Sequence, residues 1–159
     1  MATFNILQAP QVIVPITFSG TNSVGPHIEM SLPQVLITPN KGVGLIDSAL
    51  ATIDLDGEVL IDNSTLSFGT VTTPDGQTSP STDNYYDGKG IVTINGRDCG
   101  NVSKFEFQAT VKRIDHYSSR FGVRTKDFSF VEEATAKVTM TLDEFTFDNL
   151  LLVLLGKAA

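Results

Sequence analysis

Hydrophobic and polar residues alternate with a period of two in two stretches of the second half of the chain. The first alternates Phe105, Phe107, Ala109 and Val111 with polar residues, and the second does so with Ala134, Ala136, Val138, Met140 and Leu142. Such alternation is typical of a strand that buries one face, because successive side chains point to opposite sides. We therefore predict two antiparallel strands that bury the same face and either pair directly or lie in facing sheets.

Weaker alternation predicts two strands near the start of the chain. Residues 12–18 form a short strand interrupted by Pro15, and proline favours an edge position because it donates no hydrogen bond to a neighbouring strand. Residues 19–26 follow as a loop. Residues 27–38 alternate as far as Pro33, so a strand with a bulge or a break is predicted there.

A hairpin is predicted around Asp56-Gly57, a dipeptide that favours the two-residue turn of a β-hairpin. It would join residues 51–55 to residues 59–61. Further strands are predicted at residues 66–72 and 91–94, the second ending in the turn signal Asn95-Gly96. Residues 73–90 are rich in Pro, Gly, Ser, Thr and Asp, and we expect this segment to be an interface or functional loop and the most mobile region.

The last element has the period of a helix. Its apolar face would carry Phe147, Leu150, Leu151, Leu154 and Leu155, which fit the i, i+3, i+4, i+7, i+8 template. Asp143 or Thr146 can cap its start, and Gly156 followed by Lys157 can end it. A helix this short needs tertiary packing in water. We expect it to lie on a sheet built around Phe105, Phe107, Val138 and Met140.

Together these elements predict a mainly β fold, an antiparallel β-sandwich with one short C-terminal α-helix packed on it. The chain has 159 residues, of which 41% are hydrophobic, which is enough for one buried core. We therefore expect a single domain spanning residues 1–159.

Charge is distributed unevenly along the chain. The formal net charge is −7; residues 1–90 carry nine acids and two bases, whereas residues 91–159 carry nine of each. Phosphate binding requires clustered Lys and Arg, so an ordinary nucleic-acid binder is excluded. Cys99 is the only cysteine, which excludes an intramolecular disulfide and fits maturation in a reducing cytosol. With no signal-like N-terminus and no run of eighteen apolar residues, we expect neither standard secretion nor a membrane span.

The motifs of common catalytic and metal sites are incomplete. His27 and His116 are far apart and belong to no HExxH or Cys/His set. The glycines of residues 20–25 have the spacing of a phosphate loop, but Pro26 and His27 stand where Lys and Ser or Thr are needed. Asp54, Asp56 and Glu58 alternate like calcium ligands without the closing Glu of an EF-hand, which favours a solvated hairpin rim. We predict no catalytic residue, no cofactor and no metal.

A basic cluster stands out in the second half of the chain. Five of the eleven bases fall within residues 112–126, with one histidine among them: Lys112, Arg113, His116, Arg120, Arg124 and Lys126. A solvated hairpin is one interpretation. The other is an inter-subunit docking arm that meets the acidic surface of residues 1–90 on a neighbouring copy.

Two phrases of the sequence resemble bacteriophage major tail tube proteins of the siphophage type. Residues 100–102 and 113–127, the latter reading Arg-Ile-Asp-His-Tyr-Ser-Ser-Arg-Phe-Gly-Val-Arg-Thr-Lys-Asp, are similar to the long-hairpin region of that family. Residues 141–150 are similar to its strand-to-helix phrase T-L-D-E-F-T-x-x-N-L, and the likeness runs on to Gly156. The resemblance covers residues 91–156, and residues 1–90 are unmatched.

The resemblance implies a structural virion protein without catalytic activity. Family members form hexameric rings that stack into a tube, with inner strands joined in a continuous barrel, the helix outside and a long hairpin touching adjacent subunits. The implied location is the virion tail after assembly in the host cytoplasm. The implied partners are further copies, other tail proteins such as the tape measure and terminator, and DNA that passes through without specific binding; no membrane is involved.

A conduit for DNA would gain from an acidic inner surface, because like charge repels the duplex over about 8 to 10 Å at physiological salt. Four acids of the first half are candidates for that lumen: Asp54, Asp56, Glu58 and Asp62. A solvated outer face is the alternative location for them.

A second function class remains, a monomeric β-sandwich binding or adhesion module for virion decoration or carbohydrate binding. Tyr85 and Tyr86 are the only adjacent aromatic pair that could serve a ligand. Against this class, the chain has no Trp, and seven of its ten Phe residues lie after residue 100 in the strand and helix patterns.

Overall fold

A computed structural model describes residues 1–9, 11–23, 25–39, 42–73 and 79–158. The strands of this described part are β1 (Phe4–Asn5), β2 (Ile13–Gly20), β3 (Glu29–Thr38), β4 (Ile53–Val59), β5 (Thr70–Thr72), β6 (Gly90–Ile94), β7 (Arg97–Asp98), β8 (Val102–Ser118), β9 (Thr125–Leu142) and β10 (Lys157–Ala158). Helix α1 spans Phe147–Val153, and Thr82–Asn84 form a 3-10 turn. The predicted fold class, mainly β with one short C-terminal helix, is confirmed.

The described strands form one large antiparallel sheet and one small one. The large sheet has the order β7-β6-β2-β3-β4-β9-β8, and β5 pairs with β3 where β4 does not reach. Strands β2, β3 and β4 of the first half lie together in its centre and are flanked by strands of the second half, because β6 lies beside β2 and β9 lies beside β4. The second sheet pairs β1 with β10.

The large sheet curls so that its two ends face each other. The rings of Phe18 on β2 and Phe105 on β8 stack with centroids 5.2 Å apart, although β3, β4 and β9 lie between those two strands in the sheet. The concave side therefore encloses the core, and the result is a β-sandwich-like fold. Alternate side chains of the central strands fill it, including Ile53, Leu55, Val138, Met140 and Leu142.

The two strongly alternating runs pair with each other as β8 and β9, with Phe105 opposite Met140 and Phe107 opposite Val138. The turn signal is confirmed as well, since Asn95 and Gly96 adopt positive φ values of 52° and 74° between β6 and β7. Two consecutive left-handed residues are the requirement of that hairpin turn, and asparagine and glycine tolerate them best.

The edge position predicted for Pro15 is wrong. Strand β2 lies between β3 and β6, and proline is tolerated there because the register against β3 shifts between Val14 and Ile16. Three steps along β3, from Val35 to Leu32, oppose two along β2. This irregularity confirms the bulge predicted in residues 27–38. The loop predicted at 19–26 begins later, since β2 continues to Gly20.

The hairpin predicted at Asp56-Gly57 is also wrong, because β4 runs through both residues without a turn. Gly57 lies between Ile37 and Val138 in the sheet. A Cβ at this position would collide with Cγ1 of Val35. The glycine therefore serves the close approach of neighbouring side chains rather than a left-handed turn.

Between β4 and β6 the chain is mostly irregular. The strand predicted at 66–72 is reduced to β5, because Leu66 has a φ of 53° and lies in a turn closed by the bridge between Asp62 and Ser67. Of the predicted irregular segment, residues 79–89 contain no strand. Residues 74–78 lie outside the described part of the chain.

Helix α1 begins where the sequence predicts but buries a different face. Thr146 caps it, since its side-chain oxygen accepts a hydrogen bond from the backbone N–H of Asn149 at 3.2 Å. The buried helical residues are Asn149, Leu152 and Val153. Of the predicted packing face, Phe147, Leu150, Leu151, Leu154 and Leu155, the last is buried and the others are half-buried.

Asn149 explains the rotation of the helix. Its amide nitrogen donates to the carbonyl oxygens of Cys99 and Glu144, both at 3.0 Å, and its amide oxygen accepts from Arg97 at 2.8 Å. A buried polar side chain with all these partners is costly to displace. The helix consequently lies on β3 and β4, not on the predicted sheet around Phe105, Phe107, Val138 and Met140.

The N-terminal segment closes over the end of the helix. The backbone N–H groups of Leu7 and Ala9 donate to the carbonyls of Leu154 and Leu155. The ring of Phe4 packs edge-to-face on Phe147, with centroids 5.4 Å apart. The two N–H groups supply hydrogen-bond donors at the C-terminal end of the helix, where carbonyl oxygens lack partners within the helix.

We predict that Leu152→Ala lowers the free energy of unfolding by about 2 to 5 kcal/mol, because Leu152 is buried against the core. The matched control is Leu151→Ala, the same deletion one residue earlier on a half-buried side. Its loss is expected to be clearly smaller. Urea unfolding followed by circular dichroism compares the two, and equal losses would contradict the observed orientation of α1.

Candidate functional site

Strands β8 and β9 continue beyond the rest of the sheet as a two-stranded ribbon. Strand β4 pairs with β9 only from Ala136 to Leu142, whereas β8 and β9 stay paired out to Ser118 and Thr125. We call residues 109–135 the arm and its end, residues 116–126, the tip. At about 3.4 Å per residue, each strand of the arm extends roughly 30 Å from the body.

The arm exposes large apolar side chains on both of its faces. Their exposed fractions run from 41% to 85%, and the residues are Val111, Ile114, Tyr117, Phe121, Val123, Phe128, Phe130 and Val131. Phe128 and Phe130 contact each other with ring centroids 5.9 Å apart. Exposed apolar patches on a protein surface are typical of interaction sites.

All six residues of the predicted docking arm fall on this ribbon, but three of them already contact acids within it. Lys112 contacts Glu132 at 2.7 Å, His116 contacts Asp127 at 2.7 Å, and Lys126 contacts Asp115 at 2.6 Å. The hydrogen bond from Lys126, followed by one from Ser129, holds the pKa of Asp115 below its usual value. With five bases and four acids, the arm has a formal charge of only +1.

Two bulges in β9 create the first two of these pairs. Lys112 lies opposite Glu133 and Arg113 opposite Val131, so Glu132 is the extra residue of the first bulge. His116 lies opposite Phe128 and Tyr117 opposite Lys126, so Asp127 is the extra residue of the second. Each extra residue is the acid that contacts the base across from its bulge.

The tip differs from the rest of the arm in charge. It holds Arg120, Arg124 and Lys126 and no acid. Among the described residues, Arg120 and Arg124 have no ion-pair partner. The guanidinium of Arg124 lies over the ring of Tyr117, 4.7 Å from its centroid, which is within the range of a cation–π contact.

Three of the four candidate lumen acids share one face of β4. Asp54, Asp56 and Glu58 lie opposite Thr141, Thr139 and Lys137 of β9, on the side of the sheet away from the core. Their surroundings differ: Glu58 is exposed, whereas Asp56 is 5% exposed. The solvated rim predicted for these acids is therefore wrong for Asp56.

Asp56 is held in place by few contacts. Its Oδ2 lies 3.6 Å from Nζ of Lys137, and its Oδ1 has no hydrogen-bond partner within the described residues. Asp54 accepts a hydrogen bond from the Thr141 hydroxyl at 2.8 Å. Lys104 and Glu106 pair at 2.8 Å on β8, the strand beyond β9, so the face carries both signs of charge with acids in excess.

Asp62 does not belong to this row. It lies in the turn before β5, where its carboxylate accepts hydrogen bonds from the backbone N–H of Ser64 and from the hydroxyls of Ser64 and Thr65. The bonds from Ser64 are the main cause of its lowered pKa. The structure therefore places Asp62 as an acid that stabilises a turn.

The aromatic pair of the alternative function does not form a common platform. Tyr85 is 71% exposed, but the Tyr86 hydroxyl donates to the carbonyl of Lys89 and its ring lines a small groove with Phe18 and Phe105. Burial raises the pKa of Tyr86, with a further contribution from Asp87.

The residues considered for metal or redox chemistry lie apart from one another. Nδ1 of His27 is 3.1 Å from the carbonyl oxygen of Gly20. Cys99 is buried, and burial raises the pKa of its thiol to about 11. No group of three His, Cys, Asp or Glu side chains that could hold a metal occurs in the described residues. Within the same residues, no helix is long and apolar enough to cross a membrane.

Comparison with known proteins gives one family match. Residues 85–159 match the model of a family described as Protein of unknown function UCP028589. The matched part begins shortly before β6 and includes the whole arm, α1 and β10. No curated protein and no solved structure matches the chain.

Gly57 lies between Asp56 and Glu58 on β4. Because a Cβ there would collide with Cγ1 of Val35, we predict that Gly57→Ala destabilises the fold by about 1 to 3 kcal/mol through overpacking. The control is Gly42→Ala, because a Cβ there would have no neighbour within 4 Å. We expect that variant to be neutral or slightly stabilised. Urea unfolding of the parent and both variants measures the effect. An unchanged midpoint for Gly57→Ala would contradict the close contact between Gly57 and Val35.

Proposed function

We propose that this chain is a structural subunit that self-assembles into rings, which stack into the tube of a phage tail. The observation that carries the proposal is the arm. A two-stranded ribbon alone is marginally stable in water, and this one also exposes Phe121, Phe128 and Phe130. Contacts with another subunit would cover these side chains and stabilise the ribbon.

The free edge of β8 supports the same proposal. In the described residues, β8 ends the sheet and its outer edge has no strand partner along Val102–Ser118. Unpaired edges of this length readily accept a strand from another chain. Edge-to-edge pairing around a ring would join the sheets of successive subunits into one barrel, the arrangement that the resemblance to tail tube proteins implies.

The acids on β4 fit the inner surface of such a tube. Six copies at −7 each give a hexameric ring a formal charge of about −42, and acids that face the bore repel phosphates within a Debye length. DNA then slides through without specific binding. The proposed surroundings are the virion tail, with the tape measure and terminator proteins as further partners.

A monomeric binding module is the competing function. The exposed ring of Tyr85 favours it. The support is weaker than that for assembly, because Tyr86 is engaged by its own loop and does not extend the aromatic surface.

We predict that the purified chain forms rings or tubes and that the double substitution Phe128→Ser and Phe130→Ser abolishes them, because it removes an apolar pair exposed on the arm. Negative-stain microscopy and light scattering measure assembly. Ser129→Ala is the control, since it changes the residue between the two rings.

Circular dichroism and an unchanged urea midpoint must first show that the body of the double variant is folded. A folded double variant that assembles like the parent would refute the role of the arm. A parent that remains monomeric at high concentration and in the presence of a tail-initiation complex would refute the proposed function.

A second prediction concerns the bore. In virions with intact tails, Glu58→Lys should slow or arrest genome ejection, because it puts a cation on the exposed acidic face of β4. Asp83→Lys makes the same charge change in the 3-10 turn and should eject normally. Normal ejection from both variants would place the β4 face outside the lumen.

A further inference from the structure

An apolar groove of about 300 Å³ lies between β5 and the base of the arm. Its apolar lining consists of Met30, Leu32, Phe68, Val71, Phe107 and Ala109. Val71 is 59% exposed and Leu32 is 2% exposed. The groove therefore has an accessible wall and a buried floor.

The groove is built into the fold. Met30 and Val71 are paired in register between β3 and β5, so both side chains lie on the same side of the sheet. The backbone at Gly69 lies directly on β3, because a Cβ there would collide with the carbonyl oxygen of Ser31. The walls are thus fixed by the strand pairing.

The tip of the arm has the complementary shape and chemistry. Phe121 is 85% exposed and Val123 is 66% exposed, and Gly122 between them has a φ of 79°, which bends the chain sharply. Arg120 and Arg124 flank the two apolar residues. The tip is an apolar knob between two cations.

Charge favours a meeting of the two surfaces. Two acids lie beside the groove lining: Glu29 precedes Met30 on β3, and Asp62 forms a bridge with Ser67, the residue before Phe68. The tip has three bases and no acid. Opposite charge on two apolar surfaces guides their encounter and selects their orientation.

The tip of the arm cannot reach the groove of its own subunit. The groove adjoins the base of the arm at Phe107 and Ala109, and the paired strands hold the tip roughly 30 Å away. Folding the tip back would break the pairing of β8 with β9. A second copy of the chain can insert its tip there without breaking this pairing.

We propose that the tip of one subunit inserts Phe121 and Val123 into the groove of a second subunit, with Arg120 and Arg124 facing that subunit's acidic half. The contact rests on the proposed self-assembly and specifies which surfaces meet. Because tip and groove are different surfaces, the contact is heterologous, and repetition closes a ring or extends a filament.

Cross-linking between single-cysteine subunits tests the contact. Subunits carrying Val123→Cys are mixed with subunits carrying Val71→Cys, and a short bifunctional maleimide is added under assembly conditions. The native Cys99 is buried and leaves a low background. We expect a cross-linked dimer from this mixture and none when Ser48→Cys, in an exposed loop, replaces Val71→Cys.

The result also separates this inference from the proposed function. Rings or tubes that form without the 71–123 cross-link, or with a 123–123 cross-link instead, overturn the groove contact and leave assembly standing. A parent chain that never assembles overturns both. Binding of an unrelated protein in the groove would appear as a cross-link to that protein and would also overturn the contact.

A substitution series gives an independent measurement. Phe121→Ser should raise the subunit concentration at half-assembly by at least about tenfold, as expected when a central aromatic anchor is lost, whereas Ser119→Ala in the same turn should leave it unchanged. Arg120→Glu with Arg124→Glu should weaken assembly at low salt and less so at high salt. An unchanged half-assembly concentration for Phe121→Ser would overturn the proposal.

Discussion

The pairing of β9 with β4 is the contact on which the rest of the structure depends. It aligns Val138 and Met140 with Gly57 and Leu55 in the core, and it ends at Ala136, beyond which the same strand continues as half of the arm. The direction of the arm is therefore set inside the core. Gly57 lets the side chains of Val35 and Val138 approach each other across β4. The same glycine therefore serves the packing of the core and the β4–β9 pairing that directs the arm.

Much of the fold follows from local patterns, and the errors have a common physical cause. Strict alternation identified β8 and β9, and Asn95-Gly96 identified a hairpin turn, because both signals depend on neighbouring residues only. Asp56-Gly57 carries the same type of turn signal but lies between two other strands, which no local pattern reveals. Likewise, Asn149 forms hydrogen bonds with Arg97 and Cys99, which lie 52 and 50 residues away in the sequence. These bonds orient α1 so that Asn149 is buried in place of part of the predicted apolar face.

The basic cluster shows how far charge alone can predict a site. The sequence pattern placed the cluster on a hairpin, but it could not show that the bulges at Glu132 and Asp127 put acids opposite Lys112 and His116. Ion pairs that are exposed in this way contribute little stability. The exposure of Phe128 and Phe130 could not be predicted, because alternation does not reveal whether a strand has neighbours on both sides.

The continuity of β9 also has a mechanical consequence. A pulling force applied to the tip of the arm is transmitted along β9 into the body, where it acts parallel to β4. Ladder hydrogen bonds lie perpendicular to their strands, so such traction loads all the bonds between Ala136 and Leu142 together rather than opening them one after another. Strands loaded in shear resist separation more than strands that are peeled apart, so tension along β9 would be borne by the whole β4–β9 ladder at once.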